Sequence, residues 1–274
     1  NGRIQFVTAA QGATLPTGAS NVPRLSPYDP AARSYIREIY EDMGKYSAFS
    51  GILFGEDAML TDYEDVSPQG RQMLSRWGLP TDIGQIRANP ELMKRWGDMK
   101  TRHLVDFTKE LQTILYNSQN SGDVLTVRTV FPDVLTEPDG AQRYAQSYPL
   151  FESTYDFVGL LAMPSRQGVK SPDAWLDKLS RVVREAPDGP RKTVFLLEAT
   201  DARSGAAVPT PRLVDQMRHL RESGMVSYGY YPDNYAANTP DVLALSDVMS
   251  MRSRLDPTSI NALLKGGTDG TLRQ

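Results

Sequence analysis

The chain is 274 residues long, 40% hydrophobic and 23% charged, with a formal net charge of -3 and no cysteine. That length can bury a full core, as one large α/β domain or two small ones; the charge argues against a nucleic-acid-binding surface and is compatible with a cationic ligand. The lack of thiols excludes disulfides, thiolate chemistry and zinc–cysteine sites, and no apolar run approaches the length of a membrane span.

Apolar strands alternate with amphipathic helices along the chain. The start, Asn1-Gly2-Arg3, is neither a signal peptide nor an initiator methionine, so the chain is expected to be a piece of something longer. A first strand is expected near Ile4–Ala9, then a long polar loop, Gln11–Arg24, and a helix over Pro30–Tyr46. Strand Gly51–Phe54 leads to helices Pro68–Trp77 and Pro90–Tyr116, and strand Val124–Val130 to helix Ala141–Phe151. Strands Phe157–Met163, Thr193–Ala199 and Val226–Tyr231 precede helices Pro172–Glu185, Pro211–Ser223 and Pro240–Met251. Cap-then-proline pairs mark the helix starts at Asp29-Pro30, Ser67-Pro68, Asn89-Pro90, Ser171-Pro172, Thr210-Pro211 and Thr239-Pro240. At such pairs the side-chain oxygen accepts an orphan N–H, and proline fits the first turn without losing a hydrogen bond. The longest helix carries Leu92, Trp96, Met99, Leu104, Phe107, Leu111 and Ile114 as one apolar stripe, suited to covering a sheet or barrel. Trp96 reads there as core, and Gly266–Gln274 as a frayed tail.

Strand–helix alternation implies a parallel sheet. Six units suit a doubly wound sheet, or most of a (β/α)8 barrel lacking its first two units. Chemically capable residues lie at several strand ends: Glu56 and Asp57, Arg128, Glu198, and Tyr230, Tyr231 and Asp233. Gathering from many strand ends is the barrel pattern, whereas an open sheet concentrates function at one switch point. The expected fold class is therefore α/β, TIM-barrel-like, without its first βα units.

The most informative segment is Gly51–Asp65, GILFGEDAMLTDYED. An apolar strand runs into a loop with five carboxylates, interleaved with Met59, Leu60 and Tyr63. Acids hung from a strand end suit catalysis; a surface loop leading to a capped helix is the competing reading. Glu64 and Asp65 are expected to serve the helix that begins after Ser67. Arg128, a lone charge in the apolar run VLTVRTVF, must be paired, either in a structural salt bridge or toward substrate. Tyr230, Tyr231, Asp233 and Asn234 offer rings and polar groups suited to sugars, or simply form a proline-containing turn; Tyr28 is a weaker candidate of the same kind. The two histidines, His103 and His219, lie within helices and are expected to be structural, so neither a metal nor a cofactor is assigned.

GILFGEDAMLTDYED resembles the C-terminal domain of the poly-β-1,6-N-acetylglucosamine N-deacetylases of the PgaB type. The resemblance takes in Arg24-Leu25-Ser26-Pro27-Tyr28-Asp29, Asn89-Pro90-Glu91 with Trp96, Phe107-Thr108, Tyr155-Asp156, Ala162-Met163-Pro164, and Tyr228-Gly229-Tyr230-Tyr231-Pro232-Asp233-Asn234. It implies a barrel-like glycoside hydrolase domain over 1–265 with a tail over 266–274. This would be the C-terminal part of a two-domain protein whose other, metal-dependent domain deacetylates the exopolysaccharide. By resemblance, Glu56, Asp57 and Asp62 line the cleft, with Asp57 as proton donor and Asp62 as second carboxylate or as the group orienting an N-acetyl substituent. The family usually has aspartate where this chain has Glu56. Glu198 would meet a glucosamine ammonium, and an aromatic of the family is absent near Asp201-Ala202-Arg203. The implied partner is partially deacetylated β-1,6-N-acetylglucosamine polymer. An outer-membrane export porin is implied as a partner of the parent protein, and the periplasm as its location. Endo-hydrolysis and non-catalytic guidance of the polymer are the two functions the resemblance leaves open.

Overall fold

The computed structural model of the chain describes residues 4–119 and 122–249. Proline-led helices and short apolar strands set its frame. In chain order these are α1 (Pro30–Tyr46), β1 (Gly51–Phe54), α2 (Pro68–Arg76), α3 (Ile83–Arg87), α4 (Pro90–Ser118) and β2 (Leu125–Val130). Next come α5 (Asp133–Thr136), α6 (Gly140–Tyr144), α7 (Tyr148–Thr154), β3 (Phe157–Leu160), α8 (Pro172–Glu185) and α9 (Gly189–Lys192). The last are β4 (Thr193–Glu198), α10 (Thr210–Glu222), β5 (Tyr228–Tyr231), the 3-10 turn Tyr235–Ala237, and α11 (Val242–Met249). Asp29, Ser67 and Asn89 cap α1, α2 and α4 through their side chains, as their placement before proline predicts. At α11 the cap is instead Asp241, whose Oδ1 accepts the N–H groups of Leu243 and Ala244.

The five strands are all parallel and lie in sequence order, β1-β2-β3-β4-β5. A doubly wound sheet would reverse its order midway; this one does not, and it curls as a half-barrel. Phe54, Val158, Leu160, Phe195 and Leu197 turn outward and pack with Phe107, Phe151, Leu179 and Met217 of the helices. Full burial of each such side chain contributes roughly 1.5–3 kcal/mol. The opposite, inner face is set by the strand alternation. A Cβ on Gly159 would meet Leu196, Thr129 and Val127 there. Leu53 shares this face and is 54% exposed, because five strands do not enclose it.

Three expectations are corrected. Residues Ile4–Ala9 do not form a sixth parallel strand. They bridge antiparallel to Leu25 and Glu64, with Val7 N–H on Arg24 O (2.8 Å) and Val66 N–H on Thr8 O (2.8 Å), so their backbone groups are spent on a strap across the rim. The helix expected over Ala141–Phe151 is broken at Ala145, which takes a left-handed φ of 48°. The break turns Gln146 inward, where its Oε1 accepts the Phe131 N–H at 2.9 Å. The helix expected over Pro240–Met251 starts only at Val242. Its last two residues, and the tail 266–274, lie outside the described residues.

Candidate active site

A cleft of about 570 Å³ opens at the C-terminal ends of the strands. Its apolar floor includes Met59, Leu161, Met163 and Leu196, its charged lining is Arg24, Glu56, Asp57 and Arg166, and Tyr231 stands at its rim, 69% exposed. The polar loop after the first segment contributes Ser20, Val22 and Arg24.

The loop leaving β1 is held from below. Arg128 on β2 is 0% exposed; its Nη1 donates to Gly55 O at 3.0 Å and its Nη2 to Ala58 O. Burial lowers its pKa. Arg128 is buried away from any substrate and makes no direct salt bridge: it faces the outer layer, over the Phe151 ring, grips backbone on both sides of Glu56 and Asp57, and meets the Asp57 charge only at a distance. Its two Nη groups donate to those carbonyls rather than to Asp57, whose nearby charge pulls the Arg128 pKa up against burial, and its Nε has no hydrogen-bond partner among the described residues. Asp57 is exposed in the cleft, and its carboxylate makes no hydrogen bond or ion pair among the described residues. Its loop closes through Met59 N–H on Asp57 O at 2.8 Å. A Cβ on Gly55 would stand only 3.0 Å from Asp57 Oδ1, so glycine keeps that carboxylate unobstructed. Tyr40 lies close enough that Asp57, after burial, raises its pKa.

Glu56 is also in the cleft, but engaged. Arg166 forks it, Nη2 to Oε1 at 2.5 Å and Nη1 to Oε2 at 2.6 Å, while its Nε donates to Gly18 O at 2.5 Å. Sequence reasoning missed Arg166. It lies two residues past Met163-Pro164, in the loop that follows β3, and the barrel rule that strand-end loops carry function would have included it. Glu198 does not reach the cleft. It is buried and accepts the Ser165 N–H and Oγ–H, both at 2.7 Å, so its expected ammonium contact is replaced by anchorage of the loop that bears Arg166.

Asp62 is not brought to Asp57. Its Oδ2 pairs with Arg87 Nη1 at 2.5 Å, it lies outside the cleft lining, and Arg87 stacks over Tyr63 at 3.5 Å. In this structure Asp62 therefore does not join Asp57 in the cleft lining, because a cation on α3 holds it. Glu64 pairs with Arg24 and accepts the Thr61 N–H at 2.9 Å. Asp65 is buried and accepts from Thr8 N, Ser67 N, Ser26 Oγ and Ser67 Oγ at 2.7–2.9 Å; it holds the α2 cap, as expected. Beneath this half lies Lys100, fully buried, with Nζ donating to Thr61 O (2.6 Å) and Glu64 O (3.1 Å) and resting 3.6 Å from the Trp96 ring centre. Burial lowers its pKa to about 7 against the pull of Asp62 and Glu64.

Tyr28 is corrected as well. Its hydroxyl is buried without a partner, its ring packs on Trp77 and His103, and burial raises its pKa well above normal; it contacts no cleft. Tyr230 and Tyr231 do line the cleft. Burial, then the neighbouring Asp233, raises the Tyr230 pKa, so Asp233 reaches the site through Tyr230. His103 contacts Pro27 O and His219 contacts Asp177, and among the described residues no three His, Asp or Glu converge for a metal. What remains is a cleft with one free carboxylate, a neutralised carboxylate–guanidinium pair, an apolar floor and an exposed ring. Rings and apolar floors suit the faces of sugars, and convergent polar groups suit their substituents.

Comparison with known proteins agrees with that chemistry. A family model described as hypothetical glycosyl hydrolase family 13 matches residues 3–231. A poly-beta-1,6-N-acetyl-D-glucosamine N-deacetylase of Escherichia coli K12 is 34% identical over 240 residues, covering 83% of this chain and 36% of that protein. Its counterpart in Escherichia coli O157:H7 matches equally. The chain therefore spans about a third of the length of these curated relatives. The solved PgaB (BpsB) glycoside hydrolase domain from Bordetella bronchiseptica is similar at a TM-score of 0.83 and 42% identity, over 91% of this chain and 70% of that one.

Proposed function

The chain belongs to hypothetical glycosyl hydrolase family 13, and from that membership we propose that it cuts partially deacetylated poly-β-1,6-N-acetylglucosamine within the polymer. The observation that carries this reading is Asp57, an unpaired carboxylate at a strand end inside the cleft. Asp57 hands a proton to the glycosidic oxygen as the bond to the anomeric carbon breaks, the electron pair leaving with that oxygen. Since Asp62 is held by Arg87 and Glu56 by Arg166, the cleft lining offers no second unpaired carboxylate as nucleophile among the described residues. The acetamido carbonyl oxygen of the substrate itself then adds to the anomeric carbon, and water, deprotonated by Asp57, opens the resulting ring. Tyr231 stacks on a sugar face.

The same reading assigns 1–265 to one glycoside-hydrolase domain of a longer parent protein, supported by the chain covering 36% of the E. coli relative. The polymer is its partner, the periplasm its location, and an outer-membrane porin the exit its parent serves. The named activity of the E. coli relatives supports the polymer. The test is incubation of the protein with partially deacetylated polymer and mass spectrometry of the products. Short oligosaccharides that vanish with Asp57→Asn, while binding persists, support hydrolysis. Binding without product supports a polymer-guiding module, the reading favoured by two of the three expected cleft acids being ion-paired.

A further inference from the structure

Four charged side chains line the cleft: Arg24, Glu56, Asp57 and Arg166. Arg24 is satisfied by Glu64 and by Met59 O. Arg166 is satisfied by both oxygens of Glu56 and by Gly18 O. The bidentate fork takes both carboxylate oxygens, so Glu56 has no oxygen free of a cationic partner, and Asp57 is left as the one charged side chain in the lining without a hydrogen-bonded ionic partner. A guanidinium has five N–H donors; three are used here, so two remain to donate to a neutral acceptor.

The polymer proposed above offers two chemistries at each unit, a neutral acetamide or a charged ammonium. An ammonium beside Glu56 would meet a carboxylate already neutralised and a guanidinium of its own sign. An acetamide would meet no opposing charge, and its carbonyl can accept from a remaining N–H of Arg166. Resting on the hydrolase-family reading and deepening it, we infer that Arg166 is a specificity-determining residue: by cancelling Glu56 it makes the sugar position beside that pair select an N-acetylated unit over a glucosamine. The selection is a difference of two affinities set by one charge balance.

The balance makes the inference testable by sign. Arg166→Gln frees Glu56, and Glu56→Gln frees Arg166, so the two substitutions must move acetyl preference in opposite directions. A purely structural role for the pair, which links the loops after β1 and β3, would move both the same way. The experiment uses synthetic β-1,6-linked pentasaccharides, fully acetylated or carrying one glucosamine at each position in turn. Kd is measured for each, and cleavage is followed by mass spectrometry. For the position beside Glu56, the wild-type protein is expected to bind the acetylated form more tightly. Arg166→Gln should shift the ratio about tenfold toward glucosamine, and Glu56→Gln should shift it further toward acetyl. Arg166→Lys, which keeps the charge without the fork, should lie between wild type and Arg166→Gln. Ratios that do not move, or that move together, overturn the inference, as does wild-type binding of neither form. If Arg166→Gln fails to fold, the direction of the Glu56→Gln shift decides alone. Because the ratio is read from Kd as well as from products, binding without cleavage would remove the hydrolase reading and leave the selectivity result standing.

Discussion

The acid loop divides into two halves of similar composition and opposite fate. Gly55–Met59 carries Glu56 and Asp57 into the cleft, while Thr61–Asp65 carries Asp62, Glu64 and Asp65 into scaffold. Each half rests on one buried cation that donates to backbone carbonyls, Arg128 under the first and Lys100 under the second. The difference lies in what meets the carboxylates. In the second half Arg87, Arg24, Ser26 and Ser67 consume every acid; in the first, only Glu56 is met, by Arg166, and Asp57 is left open. A buried cation that takes carbonyls fixes a loop without spending its carboxylates, and that arrangement is what leaves a strand-end acid available for chemistry.

The largest effect separates the halves outright. Asp57→Asn should reduce product formation by about 10²–10⁴-fold, the usual contribution of a positioned proton donor, with melting temperature nearly unchanged because that exposed carboxylate has no hydrogen bond or ion pair to lose. A variant equally active on the polymer would remove Asp57 from the mechanism. Next is Asp65→Ala. It strips a buried acceptor from Thr8, Ser26 and Ser67 and loosens both the N-terminal strap and the α2 cap, so urea denaturation should show a loss of about 3–5 kcal/mol. A loss under about 1 kcal/mol would mean that the second half is not the scaffold its hydrogen bonds describe.

Lys100 gives the comparison a pH dependence. Its folded pKa, lowered to about 7, lies below the ordinary lysine value of about 10.4. Between those values the unfolded chain binds the extra proton, so the contribution of this residue to stability rises with pH, by up to about 1.4 kcal/mol per unit. Above the unfolded value the contribution is complete, and by the folded value it is lost. Denaturation of wild type and Lys100→Met at pH 7, 8 and 9 should therefore give a difference that moves in favour of wild type as pH rises. Parallel profiles would mean that Lys100 stays charged throughout, sustained by its two carbonyls and the Trp96 ring.

What could be read in the chain follows the range of the interaction. Asp29, Ser67 and Asn89 were legible as caps because a cap acts within three residues. Asp57 was legible because it follows an apolar strand directly, and the half-barrel because strands and helices alternate. The fate of the other acids depended on partners far away: Arg87 is 25 residues from Asp62, Arg166 is 110 from Glu56, and Ser165 is 33 from Glu198. A carboxylate advertises its charge locally, but its neutralisation is a tertiary event. The same holds for Ile4–Ala9, whose apolar run suits a strand but whose N–H and C=O groups were claimed by Arg24–Ser26 and Tyr63–Val66. The cap-then-proline pair Thr239-Pro240 misplaced the last helix start because Asp241, closer to the helix, is the better acceptor.

The smallest expected effect is the sharpest test of the division. Asp62 and Arg87 keep side-chain exposures of 21% and 31%, and partly solvated pairs contribute about 0–1 kcal/mol. In Asp62→Asn, Arg87 would retain the Asp62 carbonyl at 3.0 Å, the Tyr63 hydroxyl at 2.7 Å and the Tyr63 ring. The melting temperature should fall by no more than about 3 °C, and product formation should stay within about twofold of wild type. A loss as deep as that of Asp57→Asn, in a protein still folded and still binding polymer, would require Asp62 to leave Arg87 and enter the cleft when a sugar chain lies there. The two halves of the loop would then act as one site, and the free α3 guanidinium would become the mark of the loaded state.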